Sequence, residues 1–289
     1  MYNLYTHIYD NPARCARLTC GESLFTMYTC GLDNKFDDLW SSQNYIIYVI
    51  EGRKIWHTPG GSFDLREGNC VFVRKGAAIV EQFLDADFCL YFFFVPDEFI
   101  CDVLKKKSSP LTKTEKHYDP VIPIHNSETI NAFFHSMVPY FNPELRPDKA
   151  LIELKFRELI LTMADNPENG ELLSYFCNLL EGPQASTLQN VMDDNFCFNL
   201  KLEDFARLSS RSLSTFKRDF IKIYDCPPGK WLLEKRLVHA LHLLTNLRKT
   251  VAEAAFETGF EDVSHFSRSF RQRFGSTPSS IKNVSPVLG

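Results

Sequence analysis

Apolar positions in the first hundred residues fall in short runs broken by glycine, and the runs are too brief for helices. "SLFTMYTC", "QNYIIYVIEGRKIWHT", "GGSFDL", "CVFVRKG", "AAIVEQF" and "FCLYFFFV" each read as a strand or a pair of strands. Gly52, Gly60, Gly61, Gly68 and Gly76 punctuate them at intervals suited to hairpins. Short strands at this spacing predict a barrel or a double-sheet jelly roll. The unbroken run "CLYFFFV" predicts a strand buried on both sides, or one with a side covered by helices.

After Lys105 to Lys107 and "SSP", a loop rich in proline and charge runs to about residue 125, and the period then becomes helical. Helices are expected over about 126–138, 147–164 and 168–180. In "PDKALIELKFRELILTMA" the residues Ala150, Leu151, Leu154, Ile160 and Leu161 form a broad apolar side that Phe156 and Leu159 widen. That is more apolar surface than one neighbouring face covers, which invites self-association. The stretch "LEGPQASTLQNVMDDNF" at 180–196 is expected to be a hinge.

The last hundred residues carry a repeat. "LEDFARLSSRSLSTFKRDF" at 202–220 returns as "VAEAAFETGFEDVSHFSRSF" at 251–270. In the first copy Leu202, Phe205 and Ala206 share one helix face, a Ser-rich break follows at 209–212, and Leu213, Phe216 and Phe220 form a second stripe. In the second copy Val251, Ala254 and Ala255 make the first stripe and Val263, Phe266 and Phe270 the second, with Gly259 where the turn needs positive φ. Each copy is a helix-turn-helix, a unit that can lay its second helix in a DNA major groove. Between them Pro228 can open a helix that runs to about residue 245, with Leu232, Leu233, Arg236, Leu237, Ala240 and Leu244 on its apolar face. The spacer is therefore a strut and not a tether.

At 289 residues with 44% hydrophobic content, the chain has room for about two domains with real cores. Its net charge of -4 conceals an asymmetry: residues 184–289 hold 15 Lys/Arg against 11 Asp/Glu, and residues 1–183 hold 17 against 25. A basic rear section behind an acidic front suits a nucleic-acid partner for the rear alone. The nine cysteines include no C-x-x-C pair and several sit in apolar strands, as at Cys70 and Cys89, which fits buried thiols in a reducing cytoplasm. Cys15, Cys20 and Cys30 give no signature of a redox sensor. With no long charge-free apolar run and no signal segment, neither membrane insertion nor export is expected.

The segment from about 190 to 284 resembles the DNA-binding domain of the AraC/XylS family of bacterial transcription regulators. The segment "TVAEAAFETGFEDVSHFSRSFRQRFGSTPSSIK" carries most of that likeness. Two departures stand out: "SSRS" in the first turn lacks the usual glycine, and "DCPPGKW" replaces the commoner Gly-x-x-Pro lead into the linker helix. "IEGRKIWH" and "GGSFDLREGNCVFVRKGA" resemble the cupin-like sensing domain of the same family, although Asn69 stands for a common aspartate and Arg74, Lys75 and Gly76 for a proline-glycine turn. "CVFVRKGAAIV" is most similar to the subgroup that includes activators of type III secretion genes, which protein partners control.

The fold class implied is multidomain α+β: a cupin-like barrel or jelly roll over 1–110, a helical dimerisation or partner-binding region over 111–182, a linker over 183–195, and an all-α double helix-turn-helix domain over 196–284. The resemblance implies a sequence-specific regulator, an activator, that inserts helices 212–223 and 262–273 into successive major grooves of double-stranded DNA. Ser214, Lys217, Arg218, Ser264, Ser267 and Arg268 are then expected to read bases, since an arginine can bond guanine through two parallel hydrogen bonds. Arg211, Lys230, His265, Arg271 and Arg273 are expected at phosphates. The implied partners are RNA polymerase and a second copy of the chain, with a regulatory protein or a small apolar effector at the front domain. Tyr45, Tyr48, Trp56, Phe72 and Phe92 are the candidate lining of an effector pocket.

Other classes are less well supported by the residues. A metallo-cupin needs several histidines converging on one ion, whereas His57 stands alone in its strand region and His7, His117 and His125 lie far off in sequence. No metal, no cofactor and no enzymatic activity are expected, and His57 reads as a surface or hydrogen-bonded core histidine. Repression is the main alternative to activation, because the same grip on DNA can recruit or block polymerase. A protein-controlled interaction module without direct effector binding is a further alternative, and a pure interaction protein that has lost DNA binding would be expected to lose the cations at Lys217, Arg218 and Arg268, which are present.

Overall fold

The computed structural model describes residues 1–11, 16–29, 35–83, 88–113, 118–142, 144–145, 147–181 and 185–282. His117, Cys15, Cys30 and the start of the expected linker at 183–184 lie outside the described residues. The chain divides into two compact units, Met1–Ala185 and Ser186–Gly289.

The front unit is a two-sheet sandwich backed by helices. In chain order its strands are β1 (Tyr2–Asn3), β2 (Arg17–Cys20), β3 (Ser23–Thr29), β4 (Phe36–Ser41), β5 (Asn44–Glu51), β6 (Arg53–Thr58), β7 (Gly61–Arg66), β8 (Cys70–Val73), β9 (Gly76–Gln82), β10 (Cys89–Val95) and β11 (Val121–Ile124). Its helices are α1 (Leu4–Asp10), α2 (Asp97–Lys105), α3 (Glu128–Met137), α4 (Lys149–Asp165) and α5 (Gly170–Leu180), with a short 3-10 turn at Val138–Phe141. One sheet has the order β1-β4-β9-β6-β7 and the other β11-β8-β5-β10-β3-β2.

Alternation along β10 explains why its run is uniformly apolar. Phe92 and Phe94 face the sandwich interior with Tyr45, Trp56 and Val80, whereas Tyr91, Phe93 and Val95 face the helical layer with Phe134, Phe156 and Phe176. Both faces of the six-stranded sheet are thus buried, as a continuous hydrophobic strand requires. The five candidate pocket residues divide along the same line: Tyr45, Trp56 and Phe92 belong to the interior core, and Tyr48 and Phe72 to the helix-facing one. They do not line one chamber, because residues of opposite parity on paired strands point to opposite faces.

Strand β11 pairs antiparallel with β8, so the expected boundary at residue 110 falls inside one unit and α3, α4 and α5 share a core with the sheet. On α4 the sheet and its neighbours cover Ile152, Phe156, Leu159, Ile160 and Met163, leaving Leu151 and Leu154 exposed at 40% and 63%. The free apolar side is therefore smaller than its sequence suggests.

The rear unit is all helical: α6 (Ala185–Asn195), α7 (Leu202–Leu208), α8 (Leu213–Tyr224), α9 (Pro228–Thr245), α10 (Val251–Glu257), α11 (Val263–Phe274) and α12 (Pro278–Lys282). The expected linker at 183–195 is mostly α6, with Leu188, Val191 and Met192 buried at helical spacing. Asp193 on it pairs with Lys235 of α9 at 3.2 Å. The central helix α9 begins at Pro228 and ends at Thr245 as the sequence predicts. Leu233 is a correction, since it is exposed on α9 while Leu243 is buried. Among the described residues no helix is long and apolar enough to cross a membrane.

Candidate DNA interface

Both repeats fold as the stripe pattern requires. In the first, Phe205 and Ala206 of α7 are buried together with Phe216 and Phe220 of α8, and Phe220 meets Trp231 of α9 edge-on at 5.9 Å. In the second, Ala254, Ala255, Phe266 and Phe270 form one core with Leu237, Ala240, Leu243 and Leu244 of α9. The strut thus carries one head near its start and the other along its later turns.

Local chemistry fixes where each second helix starts and stops. Ser212 caps α8 by accepting from the Thr215 amide, and Asp262 caps α11 by accepting from the Ser264 amide at 2.7 Å. Asp225 and Gly275, both left-handed, end the two helices. At the inner turns Gly259 takes φ +80° in the second unit, and Ser210 takes φ +55° in the first. The glycine missing from the first turn is therefore replaced by a serine in the left-handed region, a conformation costly for a side chain with a Cβ.

The outward faces of α8 and α11 hold the candidate contact residues. Ser214, Lys217 and Arg218 are exposed on α8, and Ser264, His265, Arg268 and Arg271 on α11, with Ser267 half-buried. Arg268 Nε donates to its own helix at the Ser264 carbonyl, 3.4 Å away. His265 packs its ring 5.7 Å from Phe260. Lys230 is exposed in the first turn of α9.

Two cations differ from expectation. Arg211 is turned inward, 15% exposed against 75% for Arg218, and donates to Asp219 at 3.1 Å and to the Ser209 carbonyl at 2.8 Å. It braces the turn against α8, and as placed it is not a phosphate contact. Arg273 forks onto Glu234 of α9 through contacts of 2.6 and 2.7 Å, so α11 is tied to the strut at its last turn.

Asp219 was not singled out by sequence, yet it lies between Arg211 and Arg218, 3.4 Å from the Arg218 Nε and Nη2. The Arg211 hydrogen bond, opposed by desolvation and helped by Arg218, holds its carboxyl below the usual carboxylate range. Asp262 was equally missed; its position just before an amphipathic run is the signal that identifies a cap.

The front unit offers no comparable set. His57 bonds Ser62 Oγ through Nδ1 at 2.8 Å and Glu81 through Nε2 at 3.1 Å on the sheet surface, and no described group of three His, Cys, Asp or Glu is placed to hold a metal. Cys70 and Cys197 are buried thiols, and burial pushes Cys197 up to about 12, far from a reactive thiolate.

Comparison with known proteins agrees with this division. Residues 44–175 match the ExsA N-terminal regulatory domain family, and residues 205–283 match a helix-turn-helix domain family. The chain is 29% identical over 244 residues to the thermoregulatory protein LcrF of Yersinia pestis, an alignment covering 83% of this chain and 89% of LcrF. It is 29% identical over 237 residues to the transcriptional regulator ExsA of Pseudomonas aeruginosa, covering 81% and 84%. Among solved structures, fatty-acid-bound ToxT of Vibrio cholerae aligns over 92% of this chain and 97% of its own at 12% identity and TM-score 0.39. With a duplicated helix-turn-helix at its rear and an ExsA-type regulatory domain at its front, the chain belongs to the AraC/XylS family of DNA-binding transcription regulators.

Proposed function

We propose that the protein activates transcription by inserting α8 and α11 into successive major grooves of one duplex. The observation that carries this reading is the repeated arrangement on one strut: each second helix buries two phenylalanines on its inner face and presents serine and arginine outward. Arg218, Lys217 and Ser214 read bases in one groove, and Arg268, Ser264 and Ser267 in the next. Lys230, His265 and Arg271 contact phosphates and supply salt-dependent affinity. Activation is favoured over repression by the likeness to VirF of Yersinia enterocolitica, a virulence regulon transcriptional activator 28% identical over 244 residues. Activation implies RNA polymerase as a partner and a cytoplasmic location.

The front unit regulates this grip as a dimerisation and partner-binding module. The exposed Leu151 and Leu154 on α4 mark the face for a second copy, and two double-headed units gain by effective concentration at paired sites. Control by a protein partner is favoured over a small apolar effector, because the five candidate lining residues separate into two cores.

Selection from a randomised duplex pool by the full-length protein at fixed salt tests the reading. The expected product is a two-part motif with its parts about one helical turn apart. Absence of any enriched sequence would overturn direct DNA reading.

A further inference from the structure

Arg236 lies on α9 in line with Leu232, Leu237 and Ala240, where a helix packed this way would ordinarily place another apolar residue. Its guanidinium is directed instead at main-chain carbonyls. Nε donates to Phe196 and Nη2 to Phe198, each at 2.7 Å, and Nη1 donates to Gly259 at 3.2 Å. The first two carbonyls belong to the segment between α6 and α7 that leads into the first head. The third is in the turn of the second head.

Gly259 shows how closely these pieces approach. A Cβ there would come within 2.6 Å of the Cys197 carbonyl oxygen and 3.2 Å of the Arg236 Cζ, and the glycine's φ of +80° already disfavours a side chain. Asn199 adds a hydrogen bond to Glu261 just beyond the same turn. The heads are consequently joined twice: along the strut, and across it through the 196–199 segment. A strut alone fixes the distance between heads but leaves their relative rotation to the loops at its ends. The second junction removes that freedom.

We propose that Arg236 is a positioning residue that sets the spacing and phase of the two DNA-reading helices, so that the gap between half-motifs is selected by a contact that touches no DNA. The inference rests on the two-head reading given above. The planar fork is what the task needs, since three donors in one plane reach three fixed carbonyls, whereas a lysine ammonium is a point charge on a flexible stem. One base pair added between half-motifs moves them apart by about 3.4 Å and rotates one about the other, which a rigid pair of heads cannot follow.

The experiment compares the full-length protein with R236K and R236Q on duplexes carrying the selected two-part motif at its own gap, one base pair longer and one shorter. The wild type is expected to bind the altered gaps about tenfold more weakly or worse, and R236Q to compress that difference to about threefold or less. R236K should fall between them, and it carries the test if R236Q does not fold. An unchanged gap profile in a folded variant overturns the proposal, and so does an equal loss at every gap, which would mean general destabilisation. A DNA-free measurement separates this from the reading beneath it: spin labels on non-natural residues at the exposed Lys222 and Gln272 should give a narrow distance distribution in the wild type and a broader one in the variant. Equal widths overturn the clamp whether or not DNA is selected.

Discussion

The Tyr175 hydroxyl donates to the Asn44 side-chain oxygen at 3.0 Å, joining the start of a central strand to a helix 131 positions later. The same oxygen accepts from the Lys75 amide at 3.0 Å, and the Asn44 nitrogen donates to Asp97 at 2.6 Å, whose other oxygen meets the Lys75 ammonium at 2.6 Å. Asn44 is fully buried and Tyr175 nearly so, and without this oxygen the Tyr175 hydroxyl would lose its acceptor away from water.

Asn44→Leu is therefore expected to destabilise the front unit by about 2 to 4 kcal/mol, because it leaves buried donors and acceptors unpaired beside a carboxylate. Urea denaturation followed through Trp40 and Trp56 reads that unit, and Trp231 reports on the other. A wild-type midpoint for the front transition would remove the network from any account of its stability.

In the rear unit, truncating either central phenylalanine should unfold its own head. Phe216 and Phe266 are each completely buried, and Phe→Ala at such sites costs about 3 to 5 kcal/mol. The expected result for Phe266→Ala is loss of amide protection across α10 and α11, with α7 and α8 less affected. Uniform loss across both heads would show that they unfold as one cooperative body.

Legibility in the sequence followed periodicity. The strands rich in branched and aromatic residues, the helices α3, α4 and α5, and both repeats stand close to where their patterns put them. Strand β4 was hidden because "FDDLW" puts adjacent acids in a strand, and the structure uses Asp37 as an acceptor for the buried Gln82. Strand β11 was hidden by Pro123, which is tolerated there because the strand lies at a sheet edge. Gly182 and Pro183 read as a hinge and mask the Leu188, Val191 and Met192 spacing of α6. In the candidate interface the outward residues were legible from helix phase alone. The inward turn of Arg211 was not, because its partner Asp219 is a tertiary choice among several nearby carboxylates.

Arg268 and Arg218 should differ from Arg211 when each is replaced by alanine. Loss of a base-reading arginine is expected to lower affinity for the selected motif by about 1 to 3 kcal/mol and to relax preference at one position. Arg211→Ala should instead lower the thermal midpoint of the rear unit, because it releases Asp219 and the Ser209 carbonyl. Competition binding against scrambled duplex separates the two effects; equal weakening on both DNAs by Arg268→Ala would sink its assignment to a base.

Salt dependence distinguishes Arg271 from Arg273. A phosphate contact contributes about 0.9 to the slope of log affinity against log salt, so Arg271→Ala is expected to reduce the slope by roughly that amount. Arg273 already has Glu234 as a partner, and its removal should change the slope less while loosening α11 from α9. Titrations across a salt series give both slopes directly, and identical reductions would place Arg273 at the DNA despite its ion pair.

His239 makes the rear unit sensitive to acid. Its ring is half-buried against Phe196, edge-on at 5.6 Å, and lies 6.3 Å from His242. Burial, then the neighbouring His242, lowers its pKa from the ordinary 6.5, while Glu257 opposes the shift. The native state therefore binds this proton less readily than the unfolded chain does. Its contribution to stability is complete above about 6.5 and is lost as pH falls from there toward the depressed native value. Thermal unfolding followed through Trp231 should show a lower midpoint at about pH 5 than at about pH 7.5, and His239→Phe should narrow that gap by removing one proton-linked step. An identical gap in the variant would remove His239 from any account of this acid sensitivity, which the Asp219 and Asp262 side chains, whose native pKa values are also depressed, do not supply. Those groups lose their contribution only as pH falls below the carboxylate range, so the window between about 6.5 and 5 belongs to histidine alone.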